Sequence, residues 1–120
     1  MSYQLAIDVT PGYLHARVTG ENSAETVLQY LAEVRQACIA NHRTSVLIEE
    51  DLRGPSLDLL SIFRMVAERA ETEPVVLRIA FVDKNPEHEA DRMRFAETVA
   101  VNRGLQMRVF GSAAEAAAWL

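Results

Sequence analysis

The sequence predicts an α/β fold: a mostly parallel sheet of four or five strands, flanked by helices, with an antiparallel strand at its amino-terminal edge. Three observations predict it. The chain opens with two alternating runs joined by a turn, it then carries two continuous apolar runs, and segments of helical period separate the later strands. Its 120 residues, 49% hydrophobic and 24% charged, suffice for one domain spanning 1–120 with a core that needs neither disulfide nor metal.

Residues 3–9 alternate, with Leu5, Ile7 and Val9 on one face, and Thr10-Pro11-Gly12 turns the chain into a second alternating run over 13–19. These two segments read as a hairpin. Ser23 is placed to cap a helix in which Val27, Leu28, Leu31, Val34 and Cys38 recur at helical spacing, ending near Asn41-His42. Residues 45–50 have the continuous apolar centre of a strand covered on both faces. A second helix is predicted from Ser56, with Leu59, Leu60, Phe63, Val66, Ala67 and Ala70 as its buried stripe, until Glu73-Pro74 stops it.

Residues 75–82 form the next apolar strand, interrupted by Arg78. Asp83-Lys84-Asn85-Pro86 leads to a third helix using Met93, Ala96, Val99 and Ala100, with Gly104 as its C-cap. A short strand over 106–110 and a terminal helix over 113–120, with Ser112 as N-cap, Glu115 at its third position and Trp119 as anchor, complete the order ββαβαβαβα. Right-handed crossovers between the later strands then gather their carboxyl ends on one rim, where open α/β sheets place their ligands.

Composition excludes several functions. Seventeen acids against twelve bases give a formal net charge of −5, which disfavours nucleic acid and anionic membranes as partners. No apolar run approaches the ~20 residues of a membrane span, and the start lacks the form of a signal peptide, so a cytoplasmic protein without stable membrane insertion is expected. The lone cysteine, Cys38, lies in a helical apolar pattern and reads as a small hydrophobe in a reducing compartment.

No complete catalytic, metal or nucleotide motif is present. Gly54 and Gly104 are isolated glycines, which cannot form a phosphate-cradling loop. His88 and Asp91 share a helical face but are two groups where a metal site needs three or four. His15 and His42 lie beside no nucleophile, so a Ser-His-Asp or Cys-His site has no support. No catalytic residue, metal or cofactor is therefore assigned. Glu49, Glu50, Asp51 and Asp83 are acids at neighbouring strand exits, but alternation sends Glu49 and Glu50 to opposite faces, and solvation or pairing with Arg53 and Lys84 accounts for them.

The order of elements, the exit at Glu50-Asp51 followed by a serine opening the next helix at Ser56, and the close from Phe110-Gly111-Ser112 to Ala118-Trp119-Leu120 together resemble the STAS superfamily of sulfate transporter and anti-sigma-factor antagonist domains. The likeness is to its SpoIIAA-like branch of small bacterial proteins and covers essentially the whole chain. It implies a noncatalytic regulatory or protein-binding module. In anti-sigma antagonists a serine at the corresponding helix start is phosphorylated, which makes Ser56 the candidate phosphoacceptor. Those relatives place an aspartate before the serine, whereas Gly54-Pro55 precedes Ser56 and Leu57 follows it here.

The expected binding surface joins Glu50, Asp51, Arg53, Gly54, Leu57, Asp83 and Lys84, with a protein partner or a second copy as its occupant. Arg53 and Lys84 are its candidate anion contacts. Two alternatives accompany this reading: a carrier of a small apolar ligand or lipid, held between the second and third predicted helices, and an acid-assisted or metal-dependent hydrolase using Asp51 and Asp83. Leu57, Ile62 and Met65, off the predicted buried stripe, form an apolar patch if exposed.

Overall fold

The computed structural model describes residues 3–54, 64, 78–85, 90–102 and 106–120. Their elements are β1 (Tyr3–Val9), β2 (Leu14–Glu21), α1 (Ala24–Ala40), β3 (Ser45–Arg53), β4 (Arg78–Asp83), α2 (Ala90–Asn102), β5 (Gln106–Val109) and α3 (Ala113–Trp119). The strands form one sheet in sequence order, with β1 antiparallel to β2 and every later neighbour parallel. This is the expected α/β architecture. The helix expected from Ser56 lies outside the described residues, as do the C-cap expected at Gly104 and the patch of Leu57, Ile62 and Met65.

Local chemistry fixes the helix ends. Ser23 is extended and its hydroxyl accepts from the Thr26 amide at 3.1 Å, so α1 starts where a side-chain oxygen replaces a missing backbone acceptor. At the other end His42 takes φ 54, the left-handed conformation that reverses a chain leaving a helix, and the Arg43 amide returns to Cys38 O at 2.9 Å. Ser112 caps α3 likewise, accepting from the Glu115 amide at 3.3 Å.

Strand alternation builds two cores. Leu14, Ala16 and Val18 of β2 and Val46, Ile48 and Leu52 of β3 meet Val27, Tyr30, Val34 and Cys38 of α1, with Phe81 and Ala96 in the same cluster. On the opposite face Leu47, Ala80 and Val82 pack with Ala116, Phe110 and Trp119. Val46, Leu47 and Ile48 are each about 1% exposed. A central strand covered on both sides therefore explains their unbroken apolar run. Full burial of a Leu or Ile side chain contributes ~1.5–3 kcal/mol, which makes this strand the main hydrophobic anchor of the sheet.

One boundary differs from expectation in a way that matters for the site. The sequence places the end of β3 at Glu50, where apolar residues stop, but the strand continues to Arg53 in register with β2. Backbone pairing decides the length: β2 reaches Glu21 and supplies a ladder out to the pair Glu21↔Arg53, so polar side chains do not end the strand. Glu50, Asp51 and Arg53 are strand residues and not members of a loop.

Candidate functional site: the carboxyl rim of the parallel strands

Parallel pairing sends β2, β3 and β4 out at the same end of the sheet, and the pair Glu50↔Asp83 shows that β3 runs three residues beyond β4. The overhang leaves carbonyls of β3 without a strand partner on the β4 side. The chain after β4 supplies replacements: the Lys84 amide donates to Glu50 O at 2.7 Å, and Asn85 Nδ2 donates to Leu52 O at 2.7 Å. Asn85 is 3% exposed, and its own amide donates to Asp83 Oδ1 at 2.9 Å. The turn over residues 83–85 is thus fastened to the end of β3 by both backbone and side chain.

A second tie lies on the other side of β3. The Asn22 amide donates to Arg53 O at 2.8 Å, and Gly54 follows with φ +117. A Cβ at Gly54 would meet only ordinary contacts with Asn22, so the requirement for glycine comes from the backbone angle. β3 therefore ends in a turn that its sequence sets directly.

The acids of the overhang separate by pleat. Glu50 shares the α1 face with Ile48 and Leu52, is 6% exposed, and its Oε2 accepts a hydrogen bond from the hydroxyl of the fully buried Tyr30. Burial holds the Tyr30 hydroxyl well above its ordinary pKa, and the charges of Glu50 and Asp83 and the bond to Glu50 act in the same direction. Tyr30 remains a neutral donor at every physiological pH.

Glu49 points to the opposite face. Its Oε1 lies 2.8 Å from Lys84 Nζ, and its Oε2 pairs with His15 Nε2. Burial alone raises its pKa, but the hydrogen bonds and charges of Lys84 and His15 more than offset this and hold the carboxyl below its ordinary value. Lys84 is half-exposed, whereas Glu49 is buried beneath it. On the same edge Arg53 folds back on Asp51, with Nη2 3.0 Å from Oδ1.

Asp51, Arg53, Gly54, Asp83 and Lys84 lie at one end of the sheet. Two expectations change. Glu50 is removed from the surface because the pleat turns it under α1, where Tyr30 binds it. Asp51 and Asp83 fall on opposite faces, since Asp83 is in register with Glu50, so the two carboxylates expected to cooperate in hydrolysis do not converge. His15, placed in a strand by the sequence, is joined to Glu49 across β2 and β3. Ser56 and Leu57 lie outside the described residues.

Tyr30 is the residue the sequence reading missed. Its signal was spacing: 27, 30, 34 and 38 form a single helical stripe, and the one member bearing a hydroxyl needs a buried partner. Among the described residues no group of three His, Cys, Asp or Glu side chains is arranged to hold a metal ion, and no helix is long and apolar enough to cross a membrane.

No family model and no curated protein sequence matches the chain. Solved structures do. The chain is similar to an anti-sigma factor antagonist from Mycobacterium paratuberculosis, with a TM-score of 0.62 and 13% identity over 98% of this chain and 93% of that one. It is also similar to an uncharacterized protein of the DUF3478 family with a SpoIIAA-like fold from Shewanella loihica, with a TM-score of 0.55 and 13% identity over 100% of this chain and 95% of that one. The fold of this chain is SpoIIAA-like.

Proposed function

We propose that this protein is a cytoplasmic, noncatalytic regulatory module of the STAS-like, SpoIIAA-like family that binds a protein partner through the carboxyl rim of its parallel strands. The observation that carries the reading is the rim itself. Asp51, Arg53, Gly54, Asp83 and Lys84 stand together on a backbone fixed by the bonds from Lys84, Asn85 and Asn22. Charged side chains on a rigid edge suit recognition by shape and charge complementarity. The likeness of the whole fold to an anti-sigma factor antagonist supports a regulatory use of that edge.

Ser56, two residues beyond Gly54, is the proposed phosphoacceptor, and Leu57 contributes an apolar contact beside it. A phosphate there adds about −1.5 to −2 charges next to a rim that already carries Asp51 and Asp83, so phosphorylation weakens an interface with an acidic partner and favours a basic one. The test compares partner capture by the wild type, Ser56→Ala and Ser56→Glu. The proposal requires Ser56→Glu to change capture while Ser56→Ala matches the wild type. Identical capture by all three removes the switch and leaves the rim as a constitutive surface.

A further inference from the structure

Away from the rim, the face covered by α3 carries two arginines arranged around one aromatic ring. The Arg78 guanidinium lies over Trp119, 4.2 Å from the ring centroid. The Arg108 guanidinium lies 5.9 Å from the same centroid and 5.5 Å from that of Phe110. Phe110 and Trp119 themselves pack at 5.7 Å with a tilt of 46°. Register explains the convergence: Arg78 pairs with Gln106 and Ala80 with Arg108, so the two arginines are diagonal neighbours on the same face of β4 and β5.

In a chain with an excess of acids these two cations would be expected to find carboxylates. Among the described residues neither makes an ion pair, and Arg78 Nε is buried without a hydrogen-bond acceptor. They lie beside the Trp119 and Phe110 rings and not beside a bound acid. Two like charges held beside one ring repel each other, and the arrangement gains most from an anion that both can bind. Guanidiniums already held beside a ring also lose less freedom when they bind one.

We propose that Arg78, Arg108, Trp119 and Phe110 form a binding site for a phosphate monoester. Two guanidiniums supply two positive charges and planar N–H forks, matching a group that carries about −1.5 to −2 charges at neutral pH and three acceptor oxygens. Phe110 and Trp119, both half-buried, provide apolar contact for the organic part of the ester through the ring surface they still expose. A singly charged carboxylate matches the site less well, because one positive charge stays uncompensated. The inference does not rest on the rim or on Ser56, since its residues lie on β4, β5 and α3.

Trp119 is the only tryptophan of the chain, so its emission reports this site directly. The experiment titrates the full chain with phenyl phosphate, and in parallel with benzoate, at constant ionic strength maintained with chloride, following Trp119 emission and the heat of binding. Phenyl phosphate is expected to give a saturable change with the affinity for benzoate about tenfold lower, as expected for losing one charge-assisted contact. Arg108→Gln, at an exposed position, is expected to lower phenyl phosphate affinity about tenfold, and Arg108→Lys several-fold because the planar fork is lost. Absence of saturable binding, benzoate binding as tight as phenyl phosphate, or unchanged affinity in a folded Arg108→Gln protein each overturns the assignment. Arg78→Gln is a second probe of the same pair, with its fold checked by circular dichroism.

Discussion

Glu49 and Glu50 are adjacent in sequence, lie at the same end of the same strand, and occupy opposite environments. Glu50 is locked under α1 by a fully buried tyrosine. Glu49 sits on the other face, bridging His15 and a half-exposed Lys84. The contrast shows that a run of acids at a strand end is two populations, sorted by the pleat into a structural carboxylate bound by a buried hydroxyl and one bound by two basic side chains. The Tyr30–Glu50 pair ties the end of β3 to α1, and the Glu49–Lys84–His15 group ties it to β2 and to the residue after β4.

The strongest way to break the structural half is to remove the ring of Tyr30. Tyr30→Ala takes a large side chain out of the core and removes the hydroxyl that donates to Glu50, with an expected loss of about 3–5 kcal/mol in denaturant unfolding. Tyr30→Phe separates the two effects, since it keeps the ring and deletes the hydroxyl at an expected cost of about 1–3 kcal/mol. A loss near zero for Tyr30→Phe would mean that Glu50 is held by other contacts.

Next in size is the turn that ends β3. Gly54→Ala forces a side chain onto a backbone with φ +117, and an expected cost of about 1–2 kcal/mol follows from the conformation alone. Space is available around the position, so repacking offers no relief.

The half built on Glu49 responds to pH. Glu49 is held below its ordinary pKa, so its contribution to stability is present above the unfolded carboxyl value of about 4.3 and is lost as pH falls through the folded value. Glu49→Gln is expected to cost about 1 kcal/mol at neutral pH, because the Lys84 partner is half-exposed, and to flatten the acid side of the stability profile. Tyr30 acts with the opposite sign. Its raised pKa means that its contribution persists up to about pH 10 and is lost as pH rises beyond that, so Tyr30→Phe flattens the alkaline side.

Much of this arrangement was legible in the sequence, and the reasons are specific. The run Val46-Leu47-Ile48 demanded a strand covered on both faces, and Ser23 and Ser112 marked helix starts through capping chemistry that depends on neighbours in the chain. Alternation placed Glu49 and Glu50 on opposite faces. What the sequence could not give was the length of β3, because its last residues are held by the ladder to β2 and by bonds from Lys84 and Asn85, contacts between segments distant in sequence. The partners of the acids were hidden for the same reason: Tyr30 is twenty residues from Glu50, and His15 thirty-four from Glu49.

We propose the carboxyl rim as the surface that recognises a partner. The most direct measurement compares partner capture by the wild type, by the rim variant Asp51→Arg/Lys84→Glu, and by Gln36→Arg, which adds charge at an exposed position on α1 away from the rim. The rim variant, shown folded by circular dichroism, is expected to lose the partner while Gln36→Arg retains it. Equal capture by all three, or loss confined to Gln36→Arg, would contradict it.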